Sequence, residues 1–372
     1  MRRISKYIHQ LPDWPNFIWD KADLATLLAE VRLRQGRLIG QMESLGFSQR
    51  SETVLQVLTD DVVKSGEIEG EALDPDQVRS SIARRLGMDI AGLLPSDRRV
   101  DGVVQMTLEA TQNFEAPLTR ERLFGWHAAL FPGPMPNVRA GAWRDDGKGP
   151  MQVVSGAIGR ERVHYVAPEA ERLEIEMAAF MEWANRIGDV DPVLRAAKAH
   201  LWFVTIHPFD DGNGRIARVL ADWALARSEN SSRRYYSMSA QIRRERKEYY
   251  DVLERTQKGA LVITDWMRWF LGCLDRAIAG TEDALGTVFR KDRFWKTYGQ
   301  LSLNERQRMA LNKLLDGTFE GKLTSSKWAK LAKCSQDTAH RDIVELVEHG
   351  VLAKDPAGGR STSYSIKAQR AP

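Results

Sequence analysis

The residues of this chain that could do chemistry crowd into one stretch, His207-Pro208-Phe209-Asp210-Asp211-Gly212-Asn213-Gly214-Arg215-Ile216-Ala217-Arg218. Gly212, Asn213 and Gly214 let the backbone turn sharply and expose N–H groups. Those donors, with the positive end of a following helix, suit phosphate oxygens. Arg215 and Arg218 stand three apart, so on a helix they share a face beside that turn and can grip further phosphates. Asp211 supplies the kind of carboxylate that holds Mg²⁺ (or Mn²⁺) against substrate phosphates. His207 is the nearby side chain suited to general-base work near neutral pH. Phe209 is expected to anchor the loop in the core. Each feature alone is ordinary: a His before Pro is usually structural, Gly-Asn-Gly is usually a turn, and helical arginines are usually solvated. Their coincidence points to a phosphate-handling loop.

The flanking segments say how such a loop is held. Residues 192–206 are apolar almost all round, interrupted by Arg195, Lys198, His200 and Thr205, which predicts a buried helix. Pro208 restricts His207 and ends it. A second apolar helix is predicted over 216–227. Helix–loop–helix, with no strand before the glycines and no Gly-Lys-Ser/Thr ending, argues against a P-loop.

Helical spacing also predicts helices over 21–46, 51–64, 76–86, 100–114, 119–130, 170–187, 239–256 and 263–279. Residues 151–155 and 162–166 read as a β-hairpin around Gly156 and Gly159. Residues 1–20 carry Tyr7, Trp14, Phe17 and Trp19 with Pro12 and Pro15, which predicts an extended arm that buries its rings. A charged connector, helical in part, is expected over 281–300. Beyond it, helices over 304–315, 325–332 and 335–349 precede strands 352–354 and 363–366, paired across Ala357-Gly358-Gly359-Arg360. Three helices and a hairpin is the order of a winged helix-turn-helix. The expected fold is mainly α. Its parts are an N-terminal helical region over 1–100, a core over 101–280, the connector, and a winged helix over 301–372.

At 372 residues, 43% hydrophobic and 28% charged, the composition is that of an ordinary soluble protein. The two cysteines, Cys273 and Cys334, lie far apart, which excludes a disulfide framework and a cysteine metal cluster and suits a reducing cytoplasm. Met1-Arg2-Arg3 is basic, but no apolar run follows, so no secretory leader is expected. The run from Leu261 to Leu274 is interrupted by Asp265 and Arg268, so no membrane span is expected. Residues 299–372 hold 12 Lys and Arg against 8 Asp and Glu, and the rest of the chain is balanced at 42 of each. The whole excess of +4 therefore sits at the C-terminal end, where a nucleic acid is one acidic partner to consider. Gln336, Thr338, His340 and Arg341 would start a recognition helix, with Lys354 and Arg360 on the wing. Asp337 and Asp342 oppose phosphate contact there. Protein docking through this module, and a homodimer, are left open.

The focal stretch resembles the signature of the Fic family at every fixed position: His, any residue, Phe, any residue, Asp or Glu, Gly-Asn-Gly-Arg, two residues, Arg. Gly141-Ala142-Trp143-Arg144 and the hairpin Met151 to Val166 resemble the family's segment leading to its target-docking flap. Tyr249-Tyr250 and Thr264-Asp265-Trp266 resemble its following helices, and Trp14-Pro15-Asn16-Phe17 resembles a segment found before such cores. The resemblance implies transfer of AMP from ATP to a Ser, Thr or Tyr hydroxyl of a target protein, releasing pyrophosphate. His207 would be the base and Asp211 the metal ligand. Gly212, Asn213, Gly214, Arg215 and Arg218 would hold the nucleotide. Met151, Gln152, Val153, Val154 and Ser155 would align the target by strand addition. Ser65-Gly66-Glu67-Ile68-Glu69-Gly70 fits the pattern of one subclass, in which Glu69, with Ser65, would occupy Arg218 and set ATP in an unproductive pose. Removal of AMP, transfer of another phosphate-linked group, and a DNA-binding regulator with the core as sensor are the alternatives.

Overall fold

A computed structural model of the protein describes residues 7–88, 92–147, 149–156, 160, 162–186, 188, 190–315, 321–356 and 362–367. Gly159, the 357–360 turn and the basic start at 1–3 lie outside the described residues. The chain divides into two compact units, Met1–Thr281 and Glu282–Pro372. Helices dominate. They run α1 (Lys21–Ser44), α2 (Phe47–Ile68), α3 (Pro75–Arg85), α4 (Arg98–Gln112) and α5 (Arg120–Leu130), followed by strands β1 (Gln152–Ser155) and β2 (Arg162–Val166). Then come α6 (Leu173–Asn185), α7 (Pro192–Ile206), α8 (Asn213–Glu229), α9 (Met238–Arg244), α10 (Arg246–Gln257) and α11 (Thr264–Tyr298). No helix among the described residues is long and apolar enough to cross a membrane.

The sequence sets the starts of these helices through side-chain caps. Asp20, Asp74, Asp97, Thr119 and Asp191 each accept a backbone N–H of the first turn. At the centre α7 lies against α8. Ala196, Ala197 and Ala199 on one and Ala217, Ala221 and Ala224 on the other are buried small residues. Leu201, Phe203, Ile206, Ile216, Leu220 and Leu225 fill the surrounding space, each fully buried.

The N-terminal arm is packed, but it is not extended throughout: Ile8–Gln10 form a 3₁₀ turn. Trp14 and Phe17 meet edge to face at 5.1 Å, and both contact Trp202 of α7. Backbone bonds from Ile18 N to Leu261 O and from Ile263 N to Ile18 O fasten the arm. Helix α2 runs past the expected stop at 64 and takes Ser65 to Ile68 into its last turn. Gly70, at φ +82°, ends it. Glu71 N donates to Gly66 O at 2.9 Å and Gly70 N to Glu67 O at 3.2 Å, a Schellman closure. The helix expected over 239–256 is broken at Glu245 (φ −104°, ψ 24°). No Gly or Pro announces that break; Arg276 of α11 draws the Glu245 carboxylate at 2.6 and 2.7 Å. The expected helix over 263–279 and the charged connector are one continuous helix, α11.

Strands β1 and β2 pair antiparallel, with Val153 opposite Tyr165 and Val154 opposite Val163. His164 is therefore an extra residue on β2, a β-bulge. Tyr165 points inward and donates its hydroxyl to Thr205 O at 2.8 Å, beside Tyr7 and His9 of the arm. In the second unit α12 (Glu305–Leu315), α13 (Ser325–Ala332) and α14 (Gln336–Glu348) precede β3 (Leu352–Lys354) and β4 (Tyr364–Ile366). These two strands pair antiparallel, Leu352 opposite Ile366. Trp328, Leu311, Ile343, Leu346 and Val351 form this unit's core.

Candidate active site

The loop between α7 and α8 is shaped by its own sequence. Pro208 disfavours the helical region for His207, which adopts φ 53°, ψ 58°, a left-handed conformation uncommon for a non-glycine residue. His207 is half-buried, and its Nδ1 lies 3.2 Å from Val204 O. A carbonyl only accepts, so Nδ1 carries the proton and Nε2 keeps the lone pair. Burial lowers the His207 pKa to about 4, against the Val204 hydrogen bond, which raises it; Arg144 lowers it further. The ring is therefore neutral near pH 7, and Nε2 has no hydrogen-bond partner among the described residues.

Asn213 closes the loop. Its Nδ2 donates to Phe209 O at 2.8 Å and its Oδ1 accepts Phe209 N at 3.0 Å. The Asn213 side chain is thus engaged by the loop itself, and what it offers a ligand is backbone. Phe209 is fully buried and stacks on His127 at 4.1 Å. Gly212 stands at φ +78°, where a Cβ would meet Leu130 and Phe131 at 3.0 and 3.2 Å. Only glycine suits both the angle and the space.

Two residues hold the loop from behind: His127, unmarked in the sequence, and Arg144, marked only as part of the Gly141–Arg144 segment. His127 accepts Gly141 N at Nδ1 (3.0 Å) and donates from Nε2 to Asp211 O (3.2 Å). Both nitrogens are engaged, and burial lowers its pKa to about 4, so it is a neutral structural bridge. Arg144 is buried; it donates from Nε to His207 O at 2.8 Å, from Nη2 to Pro168 O at 2.5 Å and from Nη1 to Asp146 at 2.9 Å. Its backbone N–H reaches Pro208 O at 3.0 Å. Nothing in the spacing of Arg144 or His127 gives these contacts away.

Both loop arginines meet carboxylates from the end of α2. Arg218 is 2% exposed and donates from Nη1 to Glu69 Oε1 at 2.8 Å, from Nε to Ser65 Oγ at 2.9 Å and from Nη2 to Ser65 O at 3.0 Å. Burial opposes charge on both partners, but the pair overcomes it. The Arg218 pKa lies above its ordinary value and the Glu69 pKa below. Arg215 donates to Glu71 Oε2 at 2.6 Å, and Glu71 also pairs with Arg99. Glu67 pairs with Lys64 and Arg243. The Glu69 side chain is 32% exposed, yet its carboxylate is engaged by Arg218. Its approach needs Gly214, where a Cβ would run into Glu69 Oε1. Glu71 was not distinguishable from Glu67 in the sequence.

Above the loop lies a cavity of about 590 Å³. His207, Asp211, Gly212 and Gly214 line it, and so do all five residues Met151 to Ser155. Arg215 and Arg218, held by their carboxylates, do not. The Asp211 side chain is 61% exposed, with Oδ1 accepting Gly212 N at 2.6 Å and Oδ2 3.8 Å from Arg215. No cluster of three or more metal-ligating side chains exists among the described residues.

In the second unit Gln336, His340 and Arg341 are exposed along α14, and Lys354 is exposed on β3. Asp342, expected to oppose phosphate, is buried and taken by Arg306 (2.8 Å twice) and by Trp328 Nε1 (3.2 Å).

The fold resembles solved Fic proteins. One, a Fic family protein from Desulfovibrio desulfuricans, has a TM-score of 0.53 at 21% identity, covering 96% of this chain and 99% of that one. Another, a Fic domain containing signaling protein from Bacteroides thetaiotaomicron, has a TM-score of 0.52 at 19% identity, covering 69% of this chain and 97% of that one. In sequence the chain is 33% identical over 131 residues to a protein adenylyltransferase Fic of Culex quinquefasciatus, covering 34% of this chain. It is 34% identical over 116 residues to one of Nematostella vectensis, covering 31% of this chain. The match spans about a quarter of the length of these relatives, 25% in each case. Residues 7–88 match a family described as a domain of unknown function, DUF4172. Residues 117–225, which contain His127, Arg144, the loop and both arginines, match the Fic/DOC family.

Proposed function

We propose that the protein is a protein adenylyltransferase, moving AMP from ATP to a Ser, Thr or Tyr hydroxyl of a target protein, and that Glu69 restrains it. The observation that carries this reading is the pairing of two states at one loop. His207 presents a neutral Nε2 to an open cavity, while Arg218 beneath the same loop is already held by an internal anion.

In the reaction His207 Nε2 takes the proton of the target hydroxyl as its oxygen bonds to the α-phosphorus. The bond from that phosphorus to the bridging oxygen breaks and pyrophosphate leaves. The N–H groups opening α8 at Asn213 and Gly214 would face the phosphates with the helix dipole behind them. Asp211, exposed beside the cavity, fits a Mg²⁺ or Mn²⁺ site of the single-carboxylate kind, in which substrate phosphates and water complete the shell. A cation there would neutralise charge developing on the leaving phosphate. Among the described residues strand β1 pairs only with β2, so its other edge would accept a target chain added as a strand. Arg218 would grip the terminal phosphates once Glu69 releases it, because one carboxylate and one phosphate compete for the same guanidinium.

The test is incorporation of labelled AMP from ATP. Glu69→Gly should raise it and Glu69→Gly with His207→Ala should abolish it; unchanged labelling in the single variant sinks the restraint. The reverse reaction, hydrolysis of AMP from a modified target, uses the same site and is separated by supplying AMP-modified target. A second reading concerns the C-terminal unit as a winged helix on DNA. The exposed row Gln336, His340 and Arg341 favours it, as does the burial of Asp342 away from that face. A gel-shift titration at two salt concentrations tests it; binding that ignores salt argues against phosphate contact.

A further inference from the structure

Ser155 ends β1 and lines the cavity together with His164 and Glu254, and the chemistry proposed above uses none of their functional groups. His164 is the bulged residue of β2, and bulges re-aim side chains. Its Nε2 lies 2.6 Å from Ser155 Oγ and its Nδ1 lies 2.6 Å from Glu254 Oε2 on α10. Burial favours the neutral acid at Glu254, but hydrogen bonds from Lys258, His164 and Arg162 prevail and hold its pKa at about 2. An ionised carboxylate only accepts, so Nδ1 bears a proton, and in the neutral ring Nε2 then offers its lone pair to the Ser155 hydroxyl. That is the polarity that activates a serine: a base on the hydroxyl and a carboxylate orienting the base. Fastening β2 to α10 needs none of this, because Arg162 already bridges to Glu254 at 3.1 Å. Ser155 is exposed, so an electrophile in the cavity can reach it.

We propose that Ser155 is a second nucleophile of this cavity, with His164 as its base and Glu254 as a positioning residue, and that it takes AMP from a nucleoside triphosphate bound there. The electrophile rests on the adenylyl-transfer reading; the nucleophile stands on the three side chains alone. His164 Nε2 accepts the hydroxyl proton as Ser155 Oγ bonds to the α-phosphorus. The bond to the bridging oxygen breaks, pyrophosphate leaves with the electron pair, and a phosphodiester to AMP remains on Ser155. That adduct would sit at the end of the strand edge proposed to receive targets.

The experiment uses the full chain carrying Glu69→Gly. A fluorophosphonate probe, which loses fluoride to a nucleophilic serine, should label Ser155 as mapped by peptide mass. The rate should fall about 100-fold with His164→Ala, and free imidazole should restore part of it, which a merely structural histidine would not allow. Glu254→Gln should slow labelling less. With ATP and Mg²⁺, AMP should appear on the Ser155 peptide and vanish in Ser155→Ala. An unlabelled Ser155, or labelling equally fast in His164→Ala, overturns the nucleophile. AMP found only on other residues overturns Ser155 as acceptor while the adenylyl-transfer reading stands. No AMP anywhere, with Ser155 still reactive to the probe, sinks the adenylyl-transfer reading and the nucleotide electrophile but keeps the nucleophile.

Discussion

The loop 207–218 and the segment 65–71 meet at Arg218, yet they are held differently. The loop is fixed by groups that have nowhere else to go. Asn213 bonds both sides of Phe209, His127 uses both ring nitrogens, and buried Arg144 serves two backbone carbonyls and Asp146. Segment 65–71 is held by guanidinium groups through both kinds of contact: Arg218 and Arg246 donate to the carbonyls of Ser65 and Ile68, and Glu69 and Glu71 place carboxylates on Arg218 and Arg215. A carboxylate can be replaced by any anion of suitable shape, whereas a buried carbonyl left without its donor has no substitute. On the proposed reading, the loop stays and the two carboxylate contacts of the segment are the ones a phosphate would replace.

The comparison breaks most sharply at His207. In a Glu69→Gly background, His207→Ala should lower AMP transfer by about 10²–10⁴-fold with the melting temperature nearly unchanged, read by labelling and thermal unfolding together. Glu69→Gly by itself should raise transfer by about 5–150-fold, the range of a coupling of about 1–3 kcal/mol. Removing that carboxylate also leaves the buried Arg218 charge short of an anion, so this variant should melt lower than wild type without ligand. ATP with Mg²⁺ should raise its melting temperature by more than it raises wild type; an equal shift would argue that Glu69 and phosphate do not compete.

On the loop side, Arg144→Met should cost about 1–3 kcal/mol of stability by chemical denaturation, since His207 O and Pro168 O lose their donor. It should also lower transfer in the Glu69→Gly background, where ATP does not rescue it. The smallest effect is on pH. The Glu69 pKa is depressed in the fold below 4.5, so its contribution is present above 4.5 and is lost as pH falls through the folded value. The stability gap between wild type and Glu69→Gln should therefore close in acid. Transfer should hold from neutral pH downward until His207 itself protonates near pH 4.

The sequence carried the mainly helical character and the focal cluster because both are local. Apolar spacing over 192–206 needs no partner to be read as a buried helix, and Pro208 fixes its end. Glycine at 212 and 214 reports backbone angle and space directly. The length of α2 was harder to see, because the helix stops at Gly70 through a Schellman closure and not where the apolar pattern ends. The break at Glu245 was invisible for a different reason: no Gly or Pro stands there to mark it locally.

What the sequence determined by itself is which side chains are available at the loop: a base at His207, a carboxylate at Asp211, a sharp turn and two arginines. It also offered Glu69 as a partner for Arg218, through the likeness of a short pattern. What only the tertiary structure decided is which of these groups are free. Glu67, Glu69 and Glu71 alternate in one acidic run, yet each meets a different guanidinium, at Arg243, Arg218 and Arg215. His127 and His207 are both neutral histidines, yet one has both nitrogens occupied and the other has one free. Ser155, His164 and Glu254 are scattered over a hundred positions and meet only because a bulge in β2 turns one ring toward α10. The type of a residue is written in the chain. Its hydrogen-bond partners are set by packing between segments that no local spacing can specify.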